Sequence, residues 1–192
     1  MSPSESIQAA INNATAGDTI LVSAGMYNES LQINKSISLI GEDTNRTIIN
    51  GQNSQFVISI TADNVTVEGF TITSAPNLNP NSGISVTLSK GSTIDRNTVS
   101  NCQQGMNLSS SSGNTISGST ITNNTQGITL SSSNNNTISD STITNNTQGI
   151  TLSSSNNKHV FSKRCFKQLW RLRRALYVLF QRKRVFGQHF CR

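Results

Sequence analysis

The residues able to do chemistry in this chain are few. Asp95 and Arg96 stand side by side, and Asp140 replaces a glycine at a related place in a later repeat. A glycoside hydrolase needs two carboxylates about 5–10 Å apart, one to donate a proton and one to attack or to activate water. Two repeats of about 4.8 Å would set Asp95 and Asp140 about 10 Å apart. They fall at adjoining rather than equivalent positions, with Arg96 the one cation beside them. Asp95, Arg96 and Asp140 are therefore read as a weak polar binding patch, and no residue is assigned as catalytic. A second patch is Asn77, Asn79 and Asn81, in the insertion "SAPNLNPN" (74–81), which is predicted to protrude as a loop. Amide side chains both donate and accept hydrogen bonds, as sugar hydroxyls do.

Residues 1–157 hold Met1, Met26, Met106 and Cys102 and no histidine, and no CxxC occurs anywhere. No metal, cofactor or disulfide framework is expected from that set. The formal net charge of +6 averages two unlike parts. Residues 1–157 carry four basic side chains (Lys35, Arg46, Lys90, Arg96) and all nine acidic ones; the other eleven basic residues lie in 158–192. The body is acidic, so the overall charge is no sign of nucleic-acid binding. The start, "MSPSESIQAAINN", lacks the basic and apolar regions of a signal peptide. No run reaches the roughly 18 apolar residues of a membrane-spanning helix.

The elements that must position these residues are set by a repeat. Residues 114–135 and 136–157 differ only at Gly118 and Asp140. Residues 92–113 share the same 22-residue frame, and "VTVEGFTIT" (65–73) joins it at an offset of 27, the difference being the 74–81 insertion. A period of that size marks a solenoid, whose units bury their apolar faces only by stacking. Each unit holds three short pieces, "TI", "STIT" and "GITL", in which apolar residues alternate with Thr or Ser. That is strand periodicity, and polar Asn, Ser and Gly turns separate the pieces. Three strands per 22 residues make one coil of an all-β, single-stranded parallel β-helix. Four internal columns are predicted: Ile94, Ile116 and Ile138; Val99, Ile121 and Ile143; Met106, Ile128 and Ile150; Leu108, Leu130 and Leu152. Asn101, Asn123 and Asn145 are expected to form an amide ladder at one turn. Gly105, Gly127 and Gly149 are expected where a sharp turn needs positive φ.

Upstream, "DTILVSAG" (18–25), "SISLIG" (36–41), "TIING" (47–51) and "QFVISI" (55–60) read as strands ending in turns. A helix over 2–14 precedes them, with Ser2 as N-cap, Pro3 at the first position and Glu5 closing a capping box. Ile7, Ala10, Ile11 and Ala14 form its apolar stripe, suited to covering the open end of the stack. The opening "IQAAINNATAGDTILVSAGMYNESLQINKSISLIGED" resembles right-handed parallel β-helix proteins of the pectin-lyase-like superfamily. It is most similar to NosD-type and related microbial cell-surface repeat proteins. Together with the coils the resemblance covers about residues 5–157. It implies the fold and an extracellular or cell-surface location. It does not imply one activity, because the same scaffold carries lyases, hydrolases, esterases and binders. The clustered calcium-binding carboxylates of the lyases are missing here, and three Met and one Cys with no His in residues 1–157 make the copper site that such a resemblance would suggest unexpected.

Nine Asn-X-Ser/Thr sequons occur, at Asn13, Asn28, Asn34, Asn45, Asn64, Asn107, Asn123, Asn135 and Asn145. They permit glycosylation without requiring it in a chain so rich in these residues. The pattern breaks at Lys158. Residues 160–184 can be drawn as a basic amphipathic helix, with Phe161, Cys165, Leu169, Leu172, Leu176 and Leu179 on one face, suited to a membrane surface or a partner. The preferred reading is a frameshift: codons can be written for 156–170 in which loss of one base restores the coil pattern. The expected organisation is a β-helix over 1–157, nearly identical coils over 92–157 and a basic tail over 158–192. The expected function is a non-catalytic surface scaffold binding carbohydrate or another polymer. The alternatives are a fragment of a polysaccharide lyase or hydrolase, and a membrane binder acting through a native tail.

Overall fold

The computed structural model describes residues 5–52, 55–74, 80–155 and 159–161. Wherever Thr or Ser alternates with Ile, Val or Leu the chain is a short strand, and wherever the alternation breaks it turns a corner. The first coil is β1 (Thr19–Val22), β2 (Gly25–Tyr27) and β3 (Leu31–Ile33); the second is β4 (Ser38–Gly41), β5 (Thr47–Gly51) and β6 (Phe56–Ile60). The third is β7 (Thr66–Glu68), β8 (Thr71–Ser74) and β9 (Ser82–Thr87); the fourth is β10 (Thr93–Asp95), β11 (Thr98–Val99) and β12 (Gln104–Ser109). β13 (Thr115–Ser117), β14 (Thr120–Thr122) and β15 (Gln126–Ser131) make the fifth; β16 (Thr137–Ser139), β17 (Thr142–Thr144) and β18 (Gln148–Ser153) make the sixth. β19 (His159–Phe161) begins a seventh.

Corresponding strands of successive coils pair in parallel, which gives three sheets. The first runs β1-β4-β7-β10-β13-β16-β19, the second β2-β5-β8-β11-β14-β17 and the third β3-β6-β9-β12-β15-β18. Parallel strands joined through such crossovers wind right-handed, the sense that strand twist favours. The register realises the offsets read from the sequence: Val67 faces Ile94 across 27 residues, and Ile94, Ile116 and Ile138 follow at 22. All four predicted columns form, and nearly all of their members are buried, as the alternation requires. β19 carries the first sheet past the expected boundary at residue 157, pairing with β16. The rest of the tail lies outside the described residues.

Three expectations are corrected by the structure. The helix, α1, spans Ile7–Asn13 rather than 2–14, and its N-cap is Ser6, whose Oγ accepts from Ala9 N–H. Ser2 and Pro3 lie outside the described residues. The acid that a capping box supplies from within the helix comes here from Glu29, one coil later. Its carboxylate accepts from Ile7 N–H at 2.9 Å, Gln8 N–H at 3.1 Å and Ser6 Oγ at 2.7 Å. The two N–H groups are orphan donors of the helix start.

The amide ladder is displaced by one residue. Asn101, Asn123 and Asn145 are exposed and left-handed, at φ 61°, 57° and 54°. Their successors Cys102, Asn124 and Asn146 turn inward. Cys102 N–H donates to Asn124 Oδ1 at 3.1 Å, and Asn124 N–H to Asn146 Oδ1 at 2.9 Å. The same device recurs at other bends. A left-handed residue re-aims the chain, and the next backbone N–H points along the stack with no strand beside it. A buried Ser or Asn of the following coil accepts it. Ser89, Ser111, Ser133 and Ser155 form one such column, and Ser92, Asn114 and Asn136 another. Asn97, Ser119 and Ser141 form a third. Leaving any of these buried groups unpaired would cost about 1–3 kcal/mol.

Gly105 and Gly127 have ordinary negative φ and no special turn. They are glycine for lack of room. A Cβ on Gly105 would stand 2.5 Å from Ile121 Cγ2 and 2.7 Å from Gly127 O.

Candidate functional site

The structure brings Asp95 and Arg96 together with a residue that a reading of them as an isolated pair overlooks. Glu68 ends β7 in register with Asp95, one coil away. Arg96 ion-pairs with both carboxylates, with Asp95 Oδ2 at 2.7 Å. Asp95 Oδ1 also accepts from Ser117 Oγ at 2.7 Å. The hydrogen bond that Arg96 donates to Glu68, then the charge of Asp95, hold the Arg96 pKa above its ordinary value. A carboxylate pair with a cation on one face is therefore present, though the sequence does not lead one to expect it. Its two acids share one guanidinium, a bridge between rungs. Asp140 lies in the same corner column as Arg96, two coils on, with Gly118 between them, and all three residues are left-handed. The 27-residue offset that aligns Val67-Glu68 with Ile94-Asp95 was the signal that could have found Glu68.

The second patch lands elsewhere. Asn77 and Asn79 lie outside the described residues. Asn81 is exposed where the 74–81 insertion rejoins the stack. That exit is tied down by backbone: Gln103 N–H donates to Pro80 O at 2.9 Å and Gln104 N–H to Asn81 O at 3.0 Å. Beside it, on the outer face of the third sheet, opens a depression of about 490 Å³. It is lined by Gln55 and Phe56 from the second coil, Asn81, Ser82 and Ser85 from the third, and Gln103, Gln104 and Asn107 from the fourth.

The wall of the depression is ordered by a glutamine ladder. Gln104 Nε2 donates to Gln126 Oε1 at 3.0 Å, and Gln126 Nε2 to Gln148 Oε1 at 2.9 Å. Ser82 Oγ reaches Gln104 Oε1 at 3.4 Å. A chain of amides in one orientation leaves the terminal groups aimed and the rest spoken for. Every lining residue is neutral, and Phe56 is the one aromatic among them. Such a site can hydrogen-bond a polyol and lay one ring against its C–H face. The sequence signal for the ladder is plain in retrospect: a Gln precedes Gly105, Gly127 and Gly149 at the 22-residue period.

Comparisons with known proteins follow from this architecture. A family described as "Periplasmic copper-binding protein (NosD)" matches residues 11–166. A cell surface glycoprotein of Methanothermus fervidus is 38% identical over 98 residues, which is 50% of this chain and 15% of that protein. Among solved structures, the catalytic domain of an α-1,3-glucanase in complex with nigerose superposes with a TM-score of 0.63 at 18% identity. That match covers 82% of this chain and 30% of the glucanase chain. A pectin methylesterase from Erwinia chrysanthemi superposes at 0.60 and 18% identity, over 83% of this chain and 62% of its own. Each relative is longer than the part this chain spans, and at these identities the structural likeness shows the fold alone.

The family's description implies copper, whose usual donors are Met, Cys and His. The described donors do not fit it. Met26 is exposed on the first coil, while Met106 and Cys102 are buried in the fourth. Cys102 Sγ lies 3.3 Å from Ser100 O, and burial pushes the thiol up to about 12, away from the thiolate that a metal needs. Among the described residues no group of three or more His, Cys, Asp or Glu could hold a metal ion. The described residues also contain no helix long and apolar enough to cross a membrane. The stack of parallel coils, together with the match over residues 11–166, shows that the chain is a parallel β-helix and belongs to the NosD family.

Proposed function

We propose that this chain is a non-catalytic β-helix scaffold at the cell surface that binds neutral polysaccharide on the outer face of its third sheet. The observation that carries the reading is the depression beside Asn81. Amides from three coils converge there around Phe56, with no charged residue in the lining. The matched cell surface glycoprotein and the periplasmic description of the family support a location outside the cytoplasm. The complex of the glucanase with nigerose shows that a stack of this shape can present a sugar site.

A shallow site of neutral hydrogen bonds binds weakly, with a Kd on the order of 1 mM for a short oligosaccharide. Several contacts along one polymer raise the apparent affinity. Affinity electrophoresis of the full chain through gels containing α-glucan, β-glucan or polygalacturonate tests this. Retardation is expected in at least one neutral polymer, unchanged by salt, and lost in the Gln104→Ala/Asn107→Ala variant. Retardation only by the polyanion, or by a neutral polymer equally in the variant, would reject the site.

A further inference from the structure

We infer that Asn123 and Asn145 are N-glycosylation acceptors, a stacked pair carrying oligosaccharide on the corner between the second and third sheets. The inference begins with where the fold puts its asparagines. Among the described residues five are buried: Asn97, Asn114, Asn124, Asn136 and Asn146. Each is followed immediately by Thr, yet none is a sequon, because the residue two places on is Val, Ile or Gln. Of the nine sequon asparagines, eight are exposed, and Asn107 is half-buried. Structural and acceptor asparagines are thus separate sets, and in "NNT" they are neighbours: the second Asn holds the corner together and the first faces solvent.

An acceptor site on a folded chain needs its hydroxyl residue free as well as its amide, and that narrows the nine. Thr47, of the Asn45 sequon, is buried. The hydroxyl residues of the Asn64, Asn107 and Asn135 sequons lie inside strands. Those of Asn13, Asn28 and Asn34 are already engaged: Thr15 with Asp18, Ser30 with Gln52 N–H and Ser36 with Asp63 O. The Asn13, Asn123 and Asn145 sequons have both members exposed and outside strands, and Thr15 of the first is held by Asp18, which leaves Asn123 and Asn145. No hydrogen bond among the described residues engages the side chains of Asn123, Thr125, Asn145 or Thr147. Left-handed backbone at both asparagines swings the amide away from the stack. The two corners are one rung apart, about 4.8 Å, so the glycans stand side by side.

The donor is an oligosaccharide linked to a polyprenyl phosphate or pyrophosphate. The Asn Nδ2 forms a bond to the anomeric carbon as the C–O bond to phosphate breaks. The amide proton passes to a base, and the lipid phosphate leaves with the electron pair. This requires export, so the inference rests on the surface reading above.

The test exports the full chain behind an appended leader in a cell that attaches N-linked glycans, and measures intact mass. Residues 119–135 and 141–157 are identical in sequence, so short peptides cannot tell the two sites apart and variants must. Asn→Gln at a left-handed corner could disturb folding, so the variants are Thr125→Ala and Thr147→Ala. These leave every corner hydrogen bond in place. The expected mass increment corresponds to two glycans. Each single variant loses one, the double variant loses both, and Thr125→Ser keeps its glycan. An exported chain of unmodified mass overturns the inference, as does a double variant that retains the full increment. The surface reading is judged separately by fractionating the native cell. A chain found only inside that cell, yet modified at both corners when exported, sinks the surface reading alone.

Discussion

The third coil and the three that follow it share one backbone path and solve its corners in opposite ways. At corner positions where the later coils bury Ser92, Asn97 and their stacked successors, the third coil buries Val65 and Phe70. The second coil has Ile37 where the third has Val65. The early coils close their bends with apolar bulk and with polar contacts made once each. Lys35 Nζ, for instance, donates to the carbonyls of Ile11, Asn12 and Ala14, and Glu42 accepts from Ala24 N–H. The later coils repeat one neutral hydrogen bond per corner. The hand-over is visible at the third coil, where Val65 N–H donates to Ser92 Oγ and Phe70 N–H to Asn97 Oδ1. A corner closed by bulk is specific to its neighbours. A corner closed by Ser or Asn can be copied, and that is what lets residues 114–135 be written again as 136–157.

The largest effect that would break this contrast is expected at Phe70, which is fully buried. Phe70→Ala should cost about 3–5 kcal/mol, read as a fall in the urea midpoint of the full chain. A loss under about 1 kcal/mol would mean that the early corner does not depend on bulk. Next comes Asn124→Ala. It strips the acceptor from Cys102 N–H and the donor from Val99 O, both buried. A loss of about 2–3 kcal/mol is expected. Because coils interact mainly with their neighbours, hydrogen exchange should quicken in β11, β12, β14 and β15 and stay unchanged in β1 to β6. Uniform quickening would show that the two regions are not separate in stability.

Gly105→Ala sharpens the comparison inside the repeat. The added methyl meets Ile121 and the Gly127 carbonyl, and overpacking of this kind costs about 1–3 kcal/mol. If Ile121→Leu, which removes the β-branch methyl that the new Cβ would meet while keeping the side-chain volume, restores half of that loss or more in the same chain, the glycine column exists to seat the isoleucine column. If the pair is no more stable than the single variant, backbone contact alone accounts for the glycine.

The columns of Ile, Val, Met and Leu were legible in the sequence because strands alternate strictly and the period is constant. The corners were not. A left-handed residue breaks the alternation, so nothing local says which of two adjacent asparagines, Asn123 or Asn124, turns inward. The helix cap misled for a related reason. A capping box has its acid three residues after the serine, whereas here the acid arrives from Glu29, brought near by the stack. The depression beside Asn81 escaped because it is assembled from three coils, and Gln104 signals nothing until Gln126 and Gln148 are stacked upon it.

The smallest expected effect concerns acid, and it falls on the early coils. Asp18 accepts from Thr15 N–H and Thr15 Oγ1, and Asp43 accepts from Asn45 N–H; these bonds favour the charged carboxylates and lower both pKa values below the ordinary 3.8. A carboxyl whose pKa is depressed on folding contributes stability that is fully present above its unfolded value and is lost as pH falls through its folded value. Asp18 is exposed and Asp43 partly so, and the contribution is therefore small and screened by salt. Thermal midpoints should therefore be level between about pH 7 and pH 5 with respect to these two groups, then decline below about pH 4. Asp18→Asn/Asp43→Asn should flatten part of that decline, and hydrogen exchange in acid should rise first in β1 and β4. If the double variant follows the parent's acid profile, or if β13 to β18 open first, the charged turns of the early coils have no role in their acid stability, and the contrast between the two regions rests on corner packing alone.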